Sequence, residues 1–374
     1  MHRDDTLLSG NILTPDGWLR GEISLEDGQI ATIDGEPVNP DDNEAPRILP
    51  GFIDLHVHGG GGADAMEGGD AVATLARTHA RFGTTSVLAT TMTARRDDIE
   101  RALSAITRLI ERPPGQAADI FGVHLEGPFI NAAKLGAQPP HARPGTVAEV
   151  EHYMALAPIK LITLAPELEG HDALIRHLVE RGVRVQLGHT CGRYEDGVQA
   201  LACGASGFTH LYNAMTALNH RDPGIVGAAL AHARYAEIIP DLLHVEAGAV
   251  LSALRCIPDI YGVTDATAAA GMPEGQYKLG EYNVYKRGGA VRLADGTLAG
   301  SALTMDQALR NFASLGLPLA EASHRLSTLP AQFIGLEDRG TLKPGLRADL
   351  AVFSPNLALE AVYVEGQPIN GVGR

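Results

Sequence analysis

The middle of the chain alternates short apolar or β-branched runs with amphipathic stretches. The runs recur at eight places: GFIDLHV, TSVLATT, DIFGVHLEG, KLITLAPE, RVQLGHT, SGFTHLYN, AEIIPD and IYGVTDAT. Segments such as DAVATLARTHARFG and HDALIRHLVERG lie between most of them and are typical of amphipathic helices. Eight strands alternating with helices predict a (β/α)8 barrel, and a doubly wound parallel sheet is the alternative that this pattern leaves open.

Both ends of the chain have a different pattern. The first 50 residues alternate apolar and polar positions between Pro-Asp-Gly, Glu-Asp-Gly and Ile-Asp-Gly turns. The last 35 residues, including GTLKPGLRADLAVFSPNLALEAVYVEGQPI, again indicate strands with Gly and Pro turns. We therefore expect one small β domain assembled from both termini.

Composition narrows the range of partners and compartments. Of 374 residues, 45% are hydrophobic and 20% charged, as in soluble globular proteins. The formal net charge of −15 argues against a nucleic-acid or anionic-membrane partner. The three cysteines are widely spaced, no apolar window is long enough for a membrane span, and the N-terminal MHRDDTLLSGN lacks a signal peptide's apolar region. These features predict a cytoplasmic protein.

Histidines and carboxylates follow the ends of the predicted barrel strands. His56 and His58, in LPGFIDLHVHGGGG, are two residues apart, so their side chains leave the same face of the first strand. Other candidates at later strand ends are Glu126, His189, His210 and Asp265. Because active sites of such barrels lie at the C-terminal mouth, imidazoles and carboxylates gathered there suit Zn²⁺, Fe²⁺ or another first-row divalent ion.

Each of these residues also has a simpler interpretation. A single strand-end histidine is more often a hydrogen-bonded residue than a ligand, and Glu126 before Gly-Pro could only stabilise a helix start. The glycines after His58 lack the Gly-Lys-Ser/Thr of a phosphate loop, so we expect them to bring backbone close to a metal or substrate. His124, two residues before Glu126, is expected behind the ligands rather than among them. The shared position of all six candidates favours the metal site.

Longer motifs carry a family resemblance. PGFIDLHVHG, HLEGPFIN, GHT, THLYNAMT, RDPGIVGA, VTDATAAAG, TLAGSALTM and GTLKPGLRADLAVF resemble the N-acetylglucosamine-6-phosphate deacetylases, within the amidohydrolase superfamily. The resemblance runs from about residue 7 to residue 370. It implies a distorted (β/α)8 barrel at 50–338 and a small β-sandwich domain formed by 1–49 and 339–374.

The resemblance also implies an activity. Members hydrolyse the N-acetyl group of N-acetylglucosamine 6-phosphate to glucosamine 6-phosphate and acetate in amino-sugar catabolism, using one or two divalent ions. The galactosamine isomer or another N-acyl amino sugar is an alternative substrate. A non-catalytic scaffold is a further alternative, although such proteins usually lose ligands.

Ligand roles follow by the same resemblance. Glu126, His189 and His210 would hold one metal, while His56 and His58 would hold a second, with Glu126 bridging. Many related enzymes bridge with a lysine at the end of strand four, but here Lys160 lies at the start of that strand, and Glu126 must bridge. Gln138 stands where several single-metal relatives have a histidine, so a second metal is expected to polarise the substrate carbonyl.

The remaining roles concern catalysis and the substrate. Asp265 is expected to be the general base that returns its proton to the leaving amine, although it could be only a ligand. Arg221 is the candidate phosphate partner, and the homodimers implied by the resemblance leave two alternatives, its own site and that of the neighbouring subunit. Further substrate contacts implied by the resemblance are Gln138, Asn213, the Ala214 amide, His244, and the acetyl-packing segment Leu298, Ala299, Gly300 and Ser301.

Overall fold

The computed structural model describes residues 6–373 and begins with a run of strands. The strands are β1 (Thr6–Thr14), β2 (Gly17–Glu26), β3 (Gln29–Pro37) and β4 (Arg47–Pro50). A single-turn 3₁₀ helix at Pro40–Asp42 precedes β4. The alternating N-terminal pattern thus forms strands, as expected.

Strands and helices then alternate along the chain. The first half comprises β5 (Phe52–Val57), β6 (Gly59–Gly60), β7 (Ala63–Asp64), α1 (Ala71–Ala80), β8 (Thr84–Thr91), α2 (Arg96–Glu111), β9 (Asp119–Glu126) and α3 (Val147–Leu156). The second half comprises β10 (Ile159–Leu164), α4 (His171–Glu180), β11 (Arg184–Leu187), α5 (Tyr194–Ala202), β12 (Gly207–Phe208), α6 (Gly224–His232), β13 (Tyr235–Ile238), α7 (Ala247–Cys256) and β14 (Asp259–Gly262). Short 3₁₀ turns lie at Ala65–Glu67 and Ala132–Lys134.

An antiparallel insertion separates the last barrel strand from the last helices. It consists of β15 (Gly275–Leu279), β16 (Tyr282–Arg287) and β17 (Ala290–Arg292). The sequence pattern did not predict this three-stranded sheet. The chain continues with α8 (Met305–Ser314), α9 (Leu319–Leu326), α10 (Thr328–Ile334), β18 (Leu350–Phe353), β19 (Leu359–Val364) and β20 (Gln367–Pro368).

The eight predicted runs form the barrel strands. Six of them make a sheet in the order β5-β8-β9-β10-β11-β12, and β13 pairs in parallel with β14. The ring closes between β14 and β5, where Val57 bridges Ala266 and the Asp265 N–H donates to the His56 carbonyl at 2.8 Å. Between β12 and β13 the Leu211 N–H donates to the Glu237 carbonyl at 2.9 Å. The fold is therefore the expected distorted (β/α)8 barrel.

Residue patterns explain these elements. All residues of β5 and β8 are buried, as in parallel strands covered on both faces. In α2 the buried Ile99, Ala102, Leu103 and Ile106 follow helical spacing and face the barrel. None of the helices within residues 6–373 combines the length and apolar character needed to cross a membrane.

Strands from both chain ends share one sheet. Its seven strands have the order β20-β19-β18-β4-β1-β2-β3, and β18 pairs antiparallel with β4. Its apolar cluster includes Ile12, Ile23, Ile48 and Leu350 and is separate from the barrel core. The expected small β domain from both termini is thus confirmed. We propose the domain limits 1–49 plus 339–374 and 50–338.

Candidate metal centre

Six strand-end side chains converge at one mouth of the barrel. His56 lies in β5, and His58 follows that strand directly. Glu126 is the last residue of β9, and the other three follow β11, β12 and β14. They are His189, His210 and Asp265. All six are buried, and their polar atoms meet within a few ångströms.

Glu126, His189 and His210 form one half of this cluster, called the first triad. The Nε2 atoms of His189 and His210 each lie 3.1 Å from Glu126 Oε1 and 3.1 Å from one another. The His189 Nδ1 atom faces the Lys134 carbonyl oxygen at 2.8 Å. Because that oxygen can only accept, Nδ1 carries the proton, and a neutral His189 presents an Nε2 lone pair to the cluster.

His56, His58 and Asp265 form the other half, called the second triad. His58 Nε2 lies 3.2 Å from His56 Nε2, 3.2 Å from Asp265 Oδ1 and 3.2 Å from Glu126 Oε2. His56 Nε2 lies 3.5 Å from Glu126 Oε1. Glu126 therefore turns one oxygen to the first triad and the other to His58.

This donor arrangement fits divalent cations. In each histidine pair, His189 with His210 and His56 with His58, the Nε2 atoms are 3.1 to 3.2 Å apart. A proton on one Nε2 atom of a pair could be donated to the other, whereas with both Nε2 atoms unprotonated the two lone pairs face the same space. A cation bound at each pair would accept both lone pairs and neutralise the buried carboxylates, and imidazole and carboxylate are ligands that Zn²⁺ and Fe²⁺ accept.

The pKa shifts that the protein alone gives these side chains also favour positive charge next to the carboxylates. Burial lowers the pKa of His58, but Asp265 and Glu126 outweigh it and raise that pKa to about 9. Burial raises the pKa of Glu126, yet His56, His189 and His210 hold it well below its usual range. The pKa of Asp265 is lowered in the same way by His56 and His58 against its burial. Both carboxyl groups are thus ionised.

The backbone is strained around this mouth. His189, His210, Tyr212, Ala214 and Asp265 all have positive φ, with values of 48°, 30°, 81°, 52° and 48°. Non-glycine residues adopt this conformation at a cost of about 1–3 kcal/mol each, and such residues cluster at functional sites. The turns that follow the strands therefore orient these side chains, and the positive φ raises the conformational free energy of the backbone.

A cavity of about 350 Å³ opens above the cluster. Of the residues expected to contact substrate, it is lined by Gln138, Asn213, Ala214, His244, Leu298 and Gly300. Gln138 donates from Nε2 to Glu126 Oε2 at 2.5 Å and accepts the Thr93 N–H at 2.7 Å. Its amide is therefore engaged by the bridging carboxylate.

Three expected contact residues do not line this cavity. Ala299 is buried, and Ser301 donates its hydroxyl to the Thr264 carbonyl at 2.6 Å. Arg221 is exposed, and its guanidinium contacts His220 Nε2 at 2.7 Å. Within residues 6–373 the fold therefore does not bring Arg221 to the cavity of its own chain.

The glycines after His58 serve packing. A Cβ at Gly59 would lie 2.4 Å from the Ala268 backbone nitrogen, and one at Gly60 would lie 2.9 Å from the His79 ring. None of the four glycines, all within the described chain, lines the cavity. The expectation that they approach a metal or substrate was wrong, because neighbouring protein fills that space.

Sequence reasoning missed three polar residues at this site. Glu237 is fully buried in β13 and contacts His56 Nδ1 at 3.0 Å, and Asp54 accepts the Thr264 hydroxyl at 2.5 Å. Burial raises the pKa of Asp54 to about 7, against the hydrogen bonds from Thr264 that lower it. Lys134 lines the cavity and donates to the Met215 carbonyl. For Asp54 and Glu237, the signal in the sequence was a carboxylate inside an apolar run, in GFIDLHV and AEIIPD respectively.

The family assignment follows from comparison with known proteins. Residues 47–369 match the model of the amidohydrolase family. The chain belongs to this family. The matched span includes the whole barrel and all six residues of the two triads.

Several proteins similar to the chain are deacetylases of N-acetylated sugar phosphates. The chain is 40% identical to N-acetylgalactosamine-6-phosphate deacetylase from Escherichia coli O157:H7, over 96% of this chain and 98% of that protein. It is 38% identical to N-acetylglucosamine-6-phosphate deacetylase from Vibrio furnissii, over 92% and 87%. An aspartate-to-alanine variant of the Mycobacterium smegmatis N-acetylglucosamine-6-phosphate deacetylase, solved in complex with N-acetyl-D-glucosamine-6-phosphate, matches with TM-score 0.90 and 31% identity over 98% and 99% of the chains.

Proposed function

We propose that this chain is a metal-dependent deacetylase that hydrolyses N-acetylglucosamine 6-phosphate to glucosamine 6-phosphate and acetate. The observation that carries the proposal is the convergence of four imidazoles and two carboxylates beneath a cavity of about 350 Å³. Deacetylases of this kind are similar to the chain over nearly its full length. The complete ligand set argues against a non-catalytic scaffold.

Two divalent ions, Zn²⁺ or Fe²⁺, are proposed for the two triads. Glu126 is suited to bridge them because its Oε1 atom lies 3.1 Å from His189 and His210, whereas its Oε2 atom lies 3.2 Å from His58. Bound ions would supply Lewis-acid activation of water and of the acetyl carbonyl. Gln138 holds the bridging carboxylate through its amide and leaves no histidine to polarise that carbonyl.

Asp265 is the proposed general base and acid. Its low pKa, held down by His56 and His58 against burial, keeps it ionised and able to accept a proton from water. The Asp265 backbone is fixed on both sides, since its N–H donates to His56 and its carbonyl accepts the Ser301 N–H at 2.8 Å. The carboxyl group, at the cavity wall, can then return the proton to the leaving amine.

Residues around the mouth are proposed to select the sugar phosphate. Asn213 and the Ala214 amide line the side proposed for phosphate, and Leu298 and Gly300 line the side proposed for the acetyl methyl. Ala299 and Ser301 support this segment from behind. His244 bonds Asp241 through Nδ1 at 2.7 Å, which leaves Nε2 for a sugar hydroxyl.

Arg221 is proposed to reach the phosphate of a second copy's site. Its side chain is exposed on the loop between β12 and α6, next to the 55% exposed Leu218. Leu243, 46% exposed, lies beside His244 on another mouth loop. A homodimer that forms at the mouth would cover these leucines and bring Arg221 of one copy to the cavity of the other.

The galactosamine isomer is a second candidate substrate. The E. coli O157:H7 relative, named N-acetylgalactosamine-6-phosphate deacetylase, is similar to this chain over its whole length. The two sugars differ at one hydroxyl that is remote from the acetyl group, so the metal centre suits both.

A cytoplasmic location is also proposed, because all three cysteines are free.

An acetate-release assay tests the function. The panel comprises both N-acetylhexosamine 6-phosphates and unphosphorylated N-acetylglucosamine, each with and without a chelator. We expect the glucosamine 6-phosphate derivative to have the highest kcat/KM and chelation to abolish turnover. Turnover that resists complete metal removal would contradict the mechanism, and a higher kcat/KM on the galactosamine isomer would reassign the substrate.

A further inference from the structure

Glu237 lies inside the barrel directly behind the second triad. Its Oε2 atom contacts His56 Nδ1 at 3.0 Å and accepts the His210 backbone N–H at 3.2 Å. Its Oε1 atom contacts the Tyr261 hydroxyl at 3.4 Å. The side chain is fully buried, and among residues 6–373 Glu237 is not one of those that line the cavity.

The donors around Glu237 fix where the protons lie. Gln186 donates from Nε2 to the Tyr261 oxygen, at 2.5 Å, so the single Tyr261 proton is free to point to Glu237. Glu237 then accepts from the His210 backbone N–H through Oε2 and from the Tyr261 hydroxyl through Oε1. With both oxygens of Glu237 accepting, a neutral His56 donates from Nδ1 to Glu237 and presents its Nε2 lone pair to the second triad.

A one-way series of hydrogen bonds continues away from Tyr261. Thr209 donates to Gln186 Oε1 at 3.3 Å, because an amide oxygen can only accept. The Thr209 hydroxyl has only that one proton, so the Thr163 hydroxyl donates to Thr209 at 2.7 Å. For the same reason His124 donates from Nε2 to Thr163 at 2.8 Å. Within residues 6–373, His124 Nδ1 is a buried atom without a hydrogen-bond partner, as an unprotonated nitrogen in this arrangement would be.

We propose that Glu237 is a positioning residue for the second divalent ion. It holds the His56 ring in the tautomer and orientation whose Nε2 lone pair faces the ion, and it strengthens that nitrogen as a ligand through its negative charge. Tyr261 donates to the other oxygen of the same carboxyl group. The inference rests on the proposed two-ion centre and adds the residue on which its second ion depends.

Three substitutions separate positioning from simple packing. Glu237→Leu removes the acceptor and keeps similar bulk. Glu237→Asp keeps the charge but withdraws it by one methylene. Glu237→Gln keeps an oxygen toward His56 and His210 and turns its amide toward Tyr261. The matched control background is His56→Gln, His58→Asn, in which the proposed object of positioning is missing.

The measurement is stepwise binding of Co²⁺ to metal-free protein, followed by visible absorption and by competition with a chelator. For the second ion we expect Glu237→Leu to raise Kd by about 10- to 100-fold, the usual effect of losing such a partner. Glu237→Asp should raise it less, and Glu237→Gln should lose less than about tenfold because a neutral hydrogen bond is roughly half as strong. The first ion should bind as in the parent.

In the control background, adding Glu237→Leu should leave the Kd of the remaining ion unchanged. Folded Glu237→Leu and Glu237→Asp proteins that bind the second ion as tightly as the parent would overturn the inference, as would equal weakening of both ions. Should Glu237→Leu fail to fold, the Asp and Gln variants make the same comparison. A parent that binds only one Co²⁺ under excess metal would overturn the two-ion centre itself, which is a distinct result.

Discussion

The floor and the mouth of the barrel cavity are built differently. At the floor, every side chain of the two triads is buried, and strand ends or their first turns place it. At the mouth, the substrate candidates lie on loops, His244 is held by Asp241, and Arg221 does not line the cavity of its own chain. The proposed metal ligands and general base therefore all come from one chain, whereas the proposed recognition of the sugar phosphate involves loops and a second copy.

The largest expected effect is at the floor, in Asp265→Asn. A carboxamide cannot cycle a proton, and general acid–base catalysis contributes about 10²- to 10⁴-fold. Acetate release should fall by that factor, while the ion at the first triad is retained and thermal unfolding stays close to that of the parent. Near-normal turnover with a full metal complement would remove Asp265 from the mechanism.

The second prediction separates the two triads. His56→Gln with His58→Asn should reduce metal bound under excess from two ions per chain to one and leave the fold intact. Glu126→Gln should weaken both ions, since Glu126 contacts both halves. Elemental analysis after dialysis gives the count. A parent that saturates at one ion, with the double variant unchanged, would make His56 and His58 dispensable.

The third prediction concerns the mouth. Arg221→Ala should raise KM for the phosphorylated sugar by about tenfold or more with little change in kcat, since a hydrogen bond to a charged group contributes about 1.5–3 kcal/mol. Unphosphorylated N-acetylglucosamine should be unaffected. Steady-state kinetics on both sugars measure this, with the exposed Arg193→Ala as the control.

The same kinetics distinguish Arg221 from Lys134. Lys134 lines the cavity of its own chain and is the alternative phosphate partner. If Lys134→Ala raises KM and Arg221→Ala does not, recognition needs no second copy, and the contrast between floor and mouth disappears. Equal losses on phosphorylated and unphosphorylated sugars would exclude the phosphate role for Arg221.

The floor was predictable because strand periodicity places its residues. His56, His58 and Glu126 end apolar runs, and parallel strands bring their C-terminal ends together. His189, His210 and Asp265 follow the same rule through one short turn. The rule depends on local pattern and common topology, so one sequence was sufficient to group them.

Other features were not predictable in this way. Glu237 lies within a strand, where one carboxylate in an apolar run gives no partner, and its contact with His56 joins residues far apart in the chain. Arg221 begins the motif RDPGIVGA, which marks it as a candidate phosphate partner. The direction of its loop depends on tertiary packing and on any neighbouring copy. The sheet β15 to β17 is short and largely exposed, so its alternation lacked the apolar face that marks a strand.

The residues with positive φ at the mouth carry backbone strain, and substitution by glycine can relieve it. Ala214 has φ 52°, and its proposed contribution to binding is a backbone amide, which glycine also has. Ala214→Gly should therefore keep catalysis near the parent's and stabilise the protein by up to about 1 kcal/mol in chemical denaturation, after the entropy cost of glycine is subtracted. His189, His210 and Asp265 cannot be relieved in this way because their side chains are required. Beside the proposed metal centre, glycine substitution can thus raise the free energy of unfolding without loss of activity where the backbone alone is proposed to contact the substrate.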